Sequence, residues 1–236
     1  MFIHYRGRGL IFKKEERGEA DLLFTVYTKD FGKLEILGKS VRKIASKLRP
    51  SAEVFYLSEI EFIQGKIQKT LTDATLVDKF SGIRGDLKKI RIAHKISEVL
   101  DNLIKGQEPD EKIWRLLIET FQKLNDLKLP AQGWSASGGE IIYCYFYWNF
   151  ISILGYRPEL YHCVRCRKKI ITERNYLVPE EGGIICGSCK SEGRNISPEA
   201  IKILRIILKR DWATLFKLKF EAQYLKELIC VNYSSS

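Results

Sequence analysis

Hydrophobic positions in the first eighty residues fall in short runs suited to strands. Leu10-Ile11-Phe12 is followed by the turn-like Glu15-Glu16-Arg17-Gly18, then by Leu22 to Thr28, rich in β-branched and aromatic residues. Lys29-Asp30-Phe31-Gly32 reads as a hairpin turn before Lys33 to Gly38, which alternates at period two. A polar stretch from Lys39 to Pro50 interrupts the pattern. Strand periodicity resumes at Glu53 to Leu57, at Glu59 to Ile63 and around Leu71 to Val77. Five or six short strands in this span predict a small, closed or partly open barrel.

From Leu87 the period becomes helical. Ile90, Ala93, Ile96, Leu100, Leu103 and Ile104 recur at spacings of three and four, with Gly106 as a stop. A second helix is expected from near Asp110 through Ile113, Leu116, Leu117, Phe121 and Leu124. A third is expected from Glu140 to Leu154, stopped by Gly155 and Pro158. The third is apolar nearly all round, as the central helix of a bundle would be. Its apolar run, Ile141 to Leu154, contains Asn149 and Ser152 and falls short of the roughly 20 residues that span a bilayer. Ser197-Pro198-Glu199 supplies an N-cap, a first-turn proline and a first-turn acid for a further helix through Ile201, Leu204, Ile207 and Leu208. A last amphipathic helix is expected over Leu218 to Ile229. The reading is thus α+β, with a barrel over 1–80 and a helical domain over 81–236.

The sharpest chemical signal is Cys163-x2-Cys166, then 19 residues, then Cys186-x2-Cys189. Two such knuckles present four thiolates that can close a tetrahedron around one Zn²⁺, and four thiolates leave no open coordination position. The metal would be structural, in a finger inserted over 160–195. The alternatives are two disulfides or a dithiol redox pair. The chain lacks a secretory pattern at its start, which favours a reducing cytoplasm and disfavours disulfides. A redox CxxC usually stands singly between strand and helix. Cys144 and Cys230 read as ordinary buried cysteines.

Composition narrows the class. The 236 residues are 45% hydrophobic with only 17 Gly and 6 Pro, which excludes collagenous, low-complexity and disordered chains. The net charge of +11 favours polyanionic partners. Residues 1–80 carry 15 basic and 11 acidic groups, 81–160 carry 11 and 10, and 161–236 carry 14 and 8. The excess therefore sits at the two ends, around a nearly neutral middle.

Catalytic patterns are missing. Gly38-Lys39-Ser40 imitates the end of a phosphate-cradling loop, but the earlier glycine would fall at Lys33. Gly7-x-Gly9 has Phe12 where its third glycine should stand. His4, His94 and His162 have no motif partners, although His162 adjoins Cys163, and no carboxylate pair suggests acid/base or two-metal chemistry. The chain does not read as an enzyme.

The interrupting stretch is more informative. Lys39, Arg42, Lys43, Lys47 and Arg49 put five cations and no acid in eleven residues, with Ser40 and Ser46 between them. Phosphate contacts use such cations and hydroxyls, and small barrels of this kind host oligonucleotides. A solvated surface loop is the competing account. Arg6 and Arg8 on a neighbouring strand are weaker candidates, and Tyr5 or Phe31 could stack bases if exposed.

Taken together, Gly18-Glu19-Ala20-Asp21, Phe31-Gly32-Lys33, the loop with Arg42-Lys43 and Ser46-Lys47-Leu48, Leu154 to Leu160 leading into Cys163-Val164-Arg165-Cys166, and Pro179 to Cys186 resemble the RecO family of bacterial recombination mediators over nearly the whole length. The resemblance implies an N-terminal OB-fold, a central helical bundle and a zinc finger. It implies binding and annealing of single-stranded DNA, contact with double-stranded DNA, and association with RecR. It further implies engagement of the acidic, apolar-ended tail of single-stranded-DNA-binding protein, and indirect cooperation with the recombinase RecA. The expected location is the cytoplasm, at the nucleoid, with no membrane partner. The competing functions are an RNA-binding or transcription-associated OB-fold and zinc-ribbon protein, and a nuclease.

Overall fold

The computed structural model describes residues 3–127, 137–171, 174–189, 193–218 and 221–229. The chain divides into two compact units, residues 1–127 and 128–236.

In the first unit, strands β1 (His4–Arg17), β2 (Asp21–Thr28), β3 (Gly32–Gly38), β4 (Leu57–Gln64) and β5 (Lys69–Asp78) form a closed barrel in the order β1-β2-β3-β5-β4. Only the β3–β5 contact is parallel; the others are antiparallel. This five-stranded closure is the arrangement of an OB-fold. β1 is long enough to pair with β4 through its first half and with β2 through its second. Its register shifts between Ile11 and Lys13, the kind of bulge that lets one strand bend between two neighbours. Alternate residues of each strand point inward, so Ile11, Phe24, Val26, Leu34, Ile36, Ile60, Phe62 and Leu71 fill the core. Gly9 lies on β1 where a Cβ would come within 2.5 Å of Val26 Cγ1, so only glycine fits. The β2–β3 turn needs Gly32 twice over. Its φ is 64°, and a Cβ there would lie 2.5 Å from the Glu108 carbonyl oxygen.

The apolar run beginning at Glu53 is not a strand until Leu57. Phe55 takes a left-handed φ of 65°, and its N–H donates to the Ile11 carbonyl at 2.7 Å. Its buried ring meets His94 at 4.8 Å and Phe121 at 5.9 Å. The apolar residues here therefore plug the seam between barrel and helices and do not line a sheet face. Three helices complete the unit: α1 (Ser81–Arg84), α2 (Leu87–Leu103) and α3 (Glu111–Asp126). Asp86 and Asp110 cap α2 and α3, each accepting from two backbone N–H groups. The helices that follow the change of period at residue 81 thus belong to the same compact unit as the barrel.

The second unit is built on α4 (Ser137–Ile153), whose residues from Ile141 to Ile151 are nearly all buried. Its one buried amide, Asn149, is fully used. It donates to the Tyr145 and Ile207 carbonyls at 2.9 and 3.0 Å and accepts from Arg210 Nε at 3.2 Å. Gly155, with a φ of 99°, ends the helix as the sequence predicts. A three-stranded sheet follows, β6 (Asn175–Val178), β7 (Gly183–Cys186) and β8 (Arg194–Ile196), with β6 central. Helices α5 (Pro198–Leu208), α6 (Trp212–Lys217) and α7 (Ala222–Ile229) pack beside α4. Ser197 caps α5 by accepting from Ala200 N–H at 3.2 Å. The helix expected from Leu218 starts at Ala222, and α6 is an additional element. Cys230 lies outside the described residues.

Candidate metal centre and nucleic-acid surface

The finger is assembled by two short knuckles. The first is clamped by an isolated bridge between His162 and Lys169, with Cys163 N–H donating to the Lys168 carbonyl at 2.8 Å. Arg167 takes a φ of 62° to turn the chain back after Cys166. The second knuckle is the end of β7 and the single 3₁₀ turn Gly187–Cys189. Val164 N–H donates to the Ile184 carbonyl at 3.0 Å, which ties one knuckle to the other. Arg165 grips Glu181 with two hydrogen bonds of 2.8 and 2.6 Å and also donates to the Cys189 carbonyl at 3.3 Å.

This scaffold brings the four Sγ atoms of Cys163, Cys166, Cys186 and Cys189 within 4.8 Å of one another. Cys166 and Cys186 are 3.7 Å apart, against about 3.8 Å for two sulphurs on a tetrahedral zinc with 2.3 Å bonds. Burial pushes the Cys163 thiol up, but backbone N–H groups of Cys166, Cys186 and Arg165 outweigh it and bring it down to about 6. Cys189 is pushed up to about 12, first by its hydrogen bond with the Cys166 thiol and then by burial. So close a quartet cannot hold four bare thiolates, whereas a cation at its centre would remove the conflict. The donor set and spacing fit a metal ion with four sulphur ligands. His162 is exposed, 4.0 Å from Glu159, and is not part of the cluster. Cys144 is buried in α4, as expected of a core cysteine.

The basic stretch is a folded loop. Val41, Leu48 and Ala52 are buried in the barrel core, while Lys39, Arg42, Lys43, Lys47 and Arg49 are exposed. Ser40 N–H donates to Asp21 Oδ1 at 2.7 Å, Arg42 N–H to the Ala20 carbonyl at 3.0 Å, and Ser46 N–H to the Lys43 carbonyl at 3.0 Å. Apolar anchors and backbone bonds therefore hold the cations outward. Arg42 pairs with Glu16 at 3.1 Å; among the described residues the other four have no ion pair.

Arg6 and Arg8 occupy exposed positions of β1, opposite Glu61 and Glu59 of β4. Arg6 pairs with Glu59 at 2.8 Å, a contact that holds its guanidinium above its ordinary pKa. Strand register thus places carboxylates beside both arginines. Tyr5, Phe31 and Phe62 pack on one another with centroids 5.3 to 5.7 Å apart. Tyr5 and Phe31 are only partly exposed and act mainly as a cap on the core.

Sequence patterning did not reveal a groove of about 530 Å³ in the second unit. Tyr161, Ile203, Ile206 and Leu218 give it apolar lining, and Glu199, Lys202, Arg205 and Lys209 give it charged lining with three cations to one acid. The Arg205 guanidinium lies over the Tyr161 ring at 4.5 Å. No motif marks it, because it is made by residues on one face of α5 and by loops distant in the chain.

Residues 1–80 match the family model described as Recombination protein O N terminal, and residues 84–230 the one described as Recombination protein O C terminal. A DNA repair protein RecO from Dehalococcoides mccartyi is 32% identical over 226 residues, covering 95% of this chain and 86% of the relative. One from Heliobacterium modesticaldum is 30% identical over 237 residues, covering 96% and 82%. One from Moorella thermoacetica is 26% identical over 230 residues, covering 95% and 82%.

Proposed function

The chain belongs to the RecO family of DNA repair proteins, recombination mediators and not enzymes, and from that we propose that it binds and anneals single-stranded DNA through the cationic loop of its barrel. The observation that carries this reading is the loop itself: four exposed cations without carboxylate partners among the described residues, held outward on apolar anchors. Annealing brings two polyanions together, and a basic surface that engages both lowers their repulsion and raises their local concentration. Double-stranded DNA is a further ligand of the same surface, since it offers the same phosphates.

A mediator without a motor hands its DNA to a recombinase through other proteins. We assign RecR to the barrel unit, with RecA acting downstream of the complex. The tail of single-stranded-DNA-binding protein, acidic with an apolar end, suits the groove of the second unit. There Lys202, Arg205 and Lys209 would meet its carboxylates, and Ile203 and Leu218 its apolar end. Zinc is the metal best suited to four thiolates, and it would fasten the two knuckles without taking part in chemistry.

The decisive experiment follows annealing of complementary, fluorescently labelled strands coated with single-stranded-DNA-binding protein, without ATP. Acceleration by the protein is expected. Strand cleavage, or no acceleration over a range of salt, would overturn the reading.

A further inference from the structure

The cationic loop holds one residue that phosphate binding does not explain. Ile44 is 93% exposed, midway between the buried anchors Val41 and Leu48. Its neighbours Arg42, Lys43 and Lys47 are all exposed cations. The surrounding backbone is fixed by the bonds from Arg42 to Ala20, Lys43 to Ser40 and Ser46 to Lys43, so Ile44 is displayed by a defined turn. An aliphatic side chain at such exposure gains nothing for the folded monomer, and its surroundings repel any cationic partner.

We propose that Ile44 is the base-contacting residue of this loop, resting its side chain against or between unpaired bases while the flanking cations hold the phosphates. The idea rests on the loop being the DNA-binding surface. A single strand carries charge and an apolar base face a few ångströms apart, which matches an apolar tip set among cations. Apolar side chains inserted between bases are an established way of gripping and unstacking nucleic acid. Tyr5, Phe31 and Phe62 lie on the barrel and are packed on one another, whereas Ile44 stands free among the loop's cations. In a duplex the base faces are hidden by stacking, so Ile44 favours single strands over double, which the phosphates alone cannot do.

The test compares wild type, Ile44→Ser and Ile44→Leu by fluorescence anisotropy, on oligo(dT) and on an abasic strand of equal length. Ile44→Ser should weaken binding to oligo(dT) by about five- to tenfold, as partial loss of one buried isoleucine would. Its salt slope should not change, Ile44→Leu should bind nearly as wild type does, and the deficit should disappear on the abasic strand. Equal affinity of Ile44→Ser for oligo(dT) overturns the proposal, as does an equal deficit on both strands. A defect in a triple variant with Arg42, Lys43 and Lys47 replaced by Ala, alongside a silent Ile44→Ser, refutes only the base contact. A silent triple variant removes the loop as the DNA site altogether.

Discussion

Lys33 Nζ lies 2.6 Å from Asp101 Oδ1 and donates to the backbone carbonyls of Asp101 and Ile104 at 2.8 and 3.0 Å. One ammonium from the third barrel strand thus caps the end of α2, where the last carbonyls lack helical partners. Lys13 reaches the same carboxylate from β1 at 3.1 Å. This one acid thus ties two barrel strands to the first long helix. Burial pushes the Asp101 carboxyl up, but the bonds from Lys33 and Lys13 outweigh it and hold it below its ordinary value of 3.8.

A lowered folded pKa means that ionised Asp101 contributes stability above the ordinary carboxylate range and loses it as pH falls through the folded value. Asp101→Asn should therefore lower the unfolding free energy at pH 7 by about 1–2 kcal/mol. Urea titrations of both proteins at pH 7 and below pH 4 should show the difference shrinking in acid. A difference that is constant with pH would assign the loss to packing.

Protein purified without chelators should contain one zinc per chain by elemental analysis. Structural zinc sites contribute on the order of 10 kcal/mol to local folding, so Cys166→Ser should lose the metal and unfold the finger. Near-ultraviolet circular dichroism should register that loss while the barrel keeps its far-ultraviolet strand signal. Retention of full zinc by Cys166→Ser would show that the four thiolates are not the ligand set.

Substituting Arg42, Lys43 and Lys47 together by Ala should weaken binding to single strands and flatten the dependence of log affinity on log salt by about 2, at about 0.7 per lost phosphate contact. Arg42 has Glu16 as an alternative partner, so its single substitution should have the smallest effect of the three. Anisotropy titrations from low to moderate salt measure both quantities. An unchanged slope with intact folding would move the DNA site elsewhere.

The groove of the second unit makes a separate prediction. Lys202→Glu with Lys209→Glu should weaken binding of an acidic, apolar-ended peptide at least about tenfold, because two attractions become repulsions. Binding of free single-stranded DNA should stay near wild type. Calorimetry with the peptide and anisotropy with DNA distinguish the two effects, and an equal loss of both would make the groove part of a general anionic surface.

Much of the molecule follows from local pattern. Period two and short apolar runs placed the barrel strands and spacings of three and four placed α2, α3 and α5, because each of these elements buries one face and its sequence must show which; α4 showed itself by a continuous apolar run. The CxxC pairs identified the sulphur quartet, since two thiolates three residues apart already fit one metal's geometry before any tertiary contact forms. The cationic loop was legible for a similar reason: five cations in eleven residues cannot all find internal partners. Electrostatic pairing was not legible. Arg6 and Arg42 are alike as letters in a sequence, yet β1–β4 register gives Arg6 the carboxylate of Glu59, 53 residues away, and loop folding brings Arg42 to Glu16. The run at Glu53 looked like a strand because apolar alternation records burial, and Phe55 is buried in a seam instead of a sheet. The capping of α2 by Lys33, the exposure of Ile44 and the groove beside α5 depend on distances between residues far apart in the chain. Periodicity fixes which face of an element is buried; only packing fixes which charges then meet and which side chains are left for a partner.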